Sequence, residues 1–74
     1  MKDKIYNTPY GVYELKNDLL FYRKKDLGHV YKVTSGYMFS GAIMSEYHVT
    51  IKDLIDRVAY NISKNPNYYK SHEL

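Results

Sequence analysis

Polar and apolar residues along this chain change their period once. From about residue 10 to residue 44 apolar side chains tend to alternate with polar ones, the spacing of strands half-covered by a core. From Ile51 onward they recur every three or four residues, the spacing of an amphipathic helix. Within the first part, residues 10–16 and 19–24 read as two strands joined at Asn17-Asp18, a pair that tolerates the positive φ of a tight hairpin loop. That loop sets Leu15 opposite Leu20 and Tyr13 opposite Tyr22 on one face, and Glu14 opposite Phe21 and Val12 opposite Arg23 on the other. The first face is the core candidate. The second keeps Val12, Leu19 and Phe21 among charged residues, more apolar surface than a solvent face requires.

Lys24-Lys25-Asp26-Leu27-Gly28 reads as a charged connection, residues 29–34 as a third strand, and Ser35-Gly36 as the next turn. A fourth strand follows from Tyr37 to about Met44, with Gly41 marking a bulge or a close backbone approach. Residues 45–48 fit a strand or a helical turn equally well. Residues 1–9 close on Thr8-Pro9 and read as an N-terminal arm or short edge strand.

The helix has the clearest signature. Ile51, Leu54, Ile55, Val58, Ala59 and Ile62 share one stripe, while Lys52, Asp53, Asp56, Arg57 and Asn61 face away. Thr50 caps the start, Asp53 stands in the first turn where negative charge favours the helix dipole, and Asp53 is spaced to pair with Arg57. Lys64, Asn65 and Pro66 mark the stop, and residues 67–74 lack periodicity and read as a flexible tail. The expected fold is α+β, a four-stranded antiparallel meander of two hairpins with one C-terminal amphipathic helix packed on one face, residues 1–74 forming a single domain. Such a layering leaves the reverse side of the sheet open.

Composition narrows the chemistry. The 74 residues include ten tyrosines but neither tryptophan nor cysteine, which excludes disulfides and thiolate metal sites and fits a reducing compartment, with the cytoplasm as the expected location. No apolar run follows the charged N-terminus and none nears the ~20 residues of a membrane span, so neither secretion nor membrane insertion is expected. A net charge of +3 is a mild attraction toward polyanions, short of the strong basic footprint of a dedicated nucleic-acid binder.

Catalytic signatures are missing, and no enzyme or cofactor is implied. No serine sits in a G-x-S-x-G elbow, and Gly11, Gly28, Gly36 and Gly41 are scattered among hairpins instead of forming a phosphate-cradling loop. Glu46 and His48 alternate onto one side of an extended segment and strand pairing could add His29, but this spacing is unspecific and no metal site is expected. Glu14 and Asp18 sit where a solvated hairpin places carboxylates.

Binding is what remains. The leading expectation is a small module that occupies a surface of a larger protein, using Val12, Phe21, Tyr37 and Phe39 as apolar anchors with Arg23, Lys24, Lys25 and Lys32 around them. A tiny chain rich in Lys, Tyr and Asn resembles the accessory proteins of phages and mobile elements, many of which inhibit host enzymes or defence systems; the resemblance is one of composition and covers no motif. It implies a host or defence protein as partner. A second expectation is a nucleic-acid binder that presents Arg23, Lys24, Lys25 and Lys32 with aromatic neighbours to a groove or a single strand. A third is a sponge for small ligands such as nucleotides, lined by tyrosines from two or more subunits. Homodimerisation through an open sheet face or edge is compatible with all three.

Overall fold

The computed structural model describes residues 2–41 and 44–65. Its sheet has six antiparallel strands in simple sequence order, β1 (Lys4–Thr8), β2 (Gly11–Lys16), β3 (Leu19–Tyr22), β4 (Lys25–Val33), β5 (Gly36–Gly41) and β6 (Ser45–His48), followed by helix α1 (Ile51–Lys64). The chain is α+β, but the expected four-stranded meander is corrected to a six-stranded sheet curled into a half-barrel. Both added strands are edges whose alternation is weak. In β1 the outward Ile5 is 59% exposed and the residues beside it are mostly polar; in β6 it is the polar Glu46 and His48 that turn toward the helix. A hydrophobic period cannot report a strand whose inward residues are charged.

The first hairpin forms as its loop dictates. Asn17 and Asp18 both hold positive φ, and Tyr13 pairs with Tyr22, Glu14 with Phe21 and Leu15 with Leu20. Arg23 does not pair with Val12, because β3 ends at Tyr22 and Arg23-Lys24 form the next two-residue turn, at φ 53° and 66°. The charged connection expected over residues 24–28 is therefore mostly strand. Arg and Lys rarely adopt such backbone, so a turn there leaves no Gly or Asn signal. The following turn also falls one residue earlier than expected, at Thr34-Ser35, with Gly36 opposite Val33 inside β5.

Curling has two local causes. The ladder between β3 and β4 slips between Leu20 and Phe21, and this bulge turns Leu27 into the core, where it is 7% exposed. One pair further on, Gly28 lies opposite Gly41 with φ +151°, and a Cβ on Gly28 would meet the Gly41 Cα at 2.7 Å and the Phe39 ring at 3.0 Å. Gly41 thus marks a close backbone approach, with the ring of Phe39 laid over both glycines. The bend leaves Tyr6 of β1 and Tyr37 of β5 packed against the same core.

Helix α1 fills the hollow. Thr50 accepts a hydrogen bond from the Asp53 backbone N–H at 3.2 Å, and Asn65 closes the last turn by donating to the carbonyls of Asn61 and Ile62. The exposed i,i+4 ion pair is Lys52 with Asp56 at 3.1 Å, replacing the expected Asp53–Arg57 pair. Leu54, Ile55, Val58, Ala59 and Ile62 join Tyr13, Leu15, Leu20, Leu27, Val30 and Phe39 in one cluster. The helix touches both edge strands, β1 and β6, so it spans the mouth of the half-barrel. Residues 67–74 lie outside the described residues, as does the expected tail.

Two outcomes follow from this packing. Gly28→Ala should cost about 2–3 kcal/mol in urea unfolding, since both the backbone angle and the space opposite exclude a Cβ; Thr50→Ala should cost about 1 kcal/mol. Burial, and next the neighbouring Tyr37, raise the Tyr6 pKa above its ordinary 10.0. The folded state therefore favours the neutral phenol: its contribution is complete below pH 10 and fades as pH rises through the higher folded value. Tyr6→Phe should make the alkaline fall in stability shallower.

Candidate functional site

Strand pairing sorts the expected contact residues onto opposite sides of the sheet. Glu14 and Phe21 are paired on the outer face, as are Ile5 and Glu14, so Ile5 and Phe21 flank Glu14 across the strands and Val12 adjoins them two residues along β2. Val12 is 56% exposed and Phe21 half-buried. An open cavity of about 190 Å³ lies beside the Phe21 ring, bounded by Glu14, Lys16 and Lys24. Arg23 and Lys24 occupy the adjoining turn, and Lys25 opens β4 opposite Tyr22. Lys24 borders the outer cavity, whereas Lys25 pairs with Tyr22 and Arg23 lies over the Tyr22 ring, on the other side of the sheet.

Tyr37 and Phe39 belong elsewhere. Phe39 is 1% exposed in the core and Tyr37 packs half-buried against it, so neither reaches the outer face. Lys32 is exposed but pairs with Tyr37, away from the β2–β3 region. The outer face of the second half of the sheet instead carries a row that the pattern of the chain did not single out, Tyr31, Met38 and Tyr47, directly opposite one another. Its Tyr47 hydroxyl donates to the Ser35 carbonyl at 3.0 Å and lies 2.8 Å from the Ser35 hydroxyl, which fixes the ring over the β4–β5 turn. Between the two apolar regions runs a strip of Lys16, Leu19, His29, Ser40 and Ser45.

That register separates the three metal-ligand candidates. His29 is on the outer strip, whereas Glu46 and His48 alternate with Ser45 and Tyr47 onto the inner side. There Glu46 is shared: one oxygen lies 3.3 Å from His48 Nε2 and the other accepts from Asn61 Nδ2 at 2.9 Å. The Asn61 amide also reaches the Met44 sulfur at 3.3 Å. This partly buried group ties β6 to the helix and is occupied in doing so. Among the described residues no group of three or more His, Asp or Glu could hold a metal ion.

A second hollow lies where the β1–β2 turn meets the helix. Pro9, Tyr10, Asp56, Arg57 and Tyr60 bound about 350 Å³, and the Tyr10 and Tyr60 rings meet edge to face at 5.7 Å. The available signal was helical spacing: Arg57 and Lys64 stand three and four residues from Tyr60, and both cations lie over its ring, at 5.3 and 5.5 Å.

No protein-family model matches the chain, and comparison with curated proteins and with solved structures returns no match. Among the described residues no helix is long and apolar enough to cross a membrane.

The division into core and surface predicts different costs for the four aromatic and aliphatic candidates. Phe39→Ala should lose about 3–5 kcal/mol. Val12→Asp should stay within about 0.5 kcal/mol of the parent in the same urea titration.

Proposed function

We propose that the chain is a binding module that acts in the cytoplasm by occupying a surface of a larger protein, with the outer face of β2 and β3 as its contact. The observation that carries this reading is the apolar group Ile5, Val12 and Phe21 on the side of the sheet opposite α1, with a cavity beside Phe21 and Lys16 and Lys24 on its rim. Helix burial explains every inward apolar residue of these strands but none of the outward ones. An aromatic at the edge of a small hollow, bordered by charges, has the layout of a binding anchor with a polar rim.

The chemistry of the rim selects the occupant. Lys16 and Lys24 on the rim are balanced by Glu14 and by Asp26, which lies opposite Phe21, so the complementary segment carries an apolar side chain for the hollow and charged groups of both signs around it. The module inhibits or modulates its target by covering it. A host or defence protein is the class of target implied by the resemblance in composition to phage accessory proteins.

A photo-crosslinking residue at position 12, used in the source cell, should form an adduct with one larger protein, and Phe21→Ser should abolish it while leaving the circular dichroism unchanged. The same residue placed at the exposed position 53 should give none. An adduct with a second copy of this chain, or adducts indifferent to Phe21→Ser, would contradict the reading.

A further inference from the structure

The turn end of the half-barrel collects tyrosines and cations from three separate segments, and the contacts run continuously from one to the next. Arg23 lies over the Tyr22 ring at 5.3 Å, and Tyr22 lies against Gly11, where a Cβ would stand 2.9 Å from the ring. Gly11 follows Tyr10, whose ring meets Tyr60 at 5.7 Å, and Tyr60 lies beneath Arg57 and Lys64. Lys25, opposite Tyr22, extends the arc beyond Arg23. We propose that this arc is a binding site for a short stretch of single-stranded nucleic acid, separate from the protein-binding face.

Three features support that ligand over a generic solvated surface. First, the cations are available: among the described residues the ion pairs are Lys52–Asp56 and Glu46–His48, and neither engages Arg23, Arg57 or Lys64. Asp56 borders the hollow, but its carboxylate is held by Lys52. Second, the Tyr10 and Tyr60 rings stand at 72° to each other, making a corner instead of a closed stack, and Tyr10 remains 41% exposed. Ring surface is thus left for a third planar group, and bases stack on tyrosine whatever their sequence.

Third, the rings are held in place before any ligand arrives. Thr8 Oγ1 accepts from the Tyr10 backbone N–H at 3.0 Å and donates to the Gly11 carbonyl at 2.7 Å, which closes the β1–β2 turn. Tyr22 stacks on the buried Tyr13 at 4.5 Å and 13°. Arg57 and Lys64 are seven residues apart on α1, about 10 Å along the axis, far enough to engage different phosphates of one strand. A free nucleotide would use one ring and one cation; the length of the arc favours a strand.

The test is fluorescence anisotropy with a labelled twelve-residue oligothymidylate. With about three phosphates neutralised, affinity should fall roughly 15- to 20-fold between 50 and 200 mM salt. Arg57→Glu combined with Lys64→Glu, both exposed, should weaken binding at least tenfold. Tyr10→Ala should weaken it by roughly five- to 100-fold through lost stacking. Ring-proton shifts of Tyr10 and Tyr60 on titration, read by NMR on the unmutated protein, keep the test independent of how the variants fold. Val12→Asp should leave the affinity unchanged, so failure here and failure of the protein-binding reading are told apart. No binding at 50 mM salt, equal binding of an abasic strand, or indifference to the charge reversal would overturn the proposal.

Discussion

The close approach of β4 and β5 at Gly28 and Gly41 governs the rest of the molecule. Six strands laid flat would need a whole layer of helices to bury one face, and the described residues supply a single helix of 14 residues. Bending the sheet at the glycine pair, under the ring of Phe39, lets that helix touch both edge strands and close the hollow. The bulge that places Leu27 in the core works in the same direction. A domain this small has little apolar area to spare, and wrapping the sheet around one helix makes every inward residue count.

The same curvature divides the remaining surface into regions of different chemistry. Its convex side cannot be covered by a helix already spent on the concave side, so Ile5, Val12 and Phe21 stay outward, as does the row of Tyr31, Met38 and Tyr47. At one end, the turns at Pro9-Tyr10 and Arg23-Lys24 and the last turns of α1 gather tyrosines and cations. The first region is apolar with a mixed rim and suits a protein surface. The second is aromatic and cationic and suits a strand of phosphates and bases.

Local chemistry was readable wherever a local rule governs the element. Asn17-Asp18 announced its hairpin and register, and Thr50 with the stripe of Leu54, Ile55, Val58 and Ile62 announced the helix. Non-local pairing was hidden. β6 is held by polar contacts from Glu46 to Asn61 and His48, which leave no alternation, and the Arg23-Lys24 turn adopts backbone that its residues rarely choose. Of the expected contact residues, Val12, Phe21 and Lys24 lie together on the outer side because one hairpin and its turn carry them, while Arg23 and Lys25 fall with Tyr22 on the other side. Phe39 shows the limit: alternation says that it shares a side with Tyr37 and Gly41, and only the sheet's curvature decides that this side is the core.

Hydroxyl-radical footprinting of the intact chain tests this two-sidedness most directly, because it reads individual side chains in solution. Ile5, Val12, Tyr31 and Tyr47 should react close to the rates of free amino acids of their type, while Leu20, Val30, Phe39 and Leu54 stay protected until the chain unfolds. Protection of the first group in the isolated monomer, or ready labelling of Phe39 and Val30, would contradict a sheet wrapped around one helix with its outer face free.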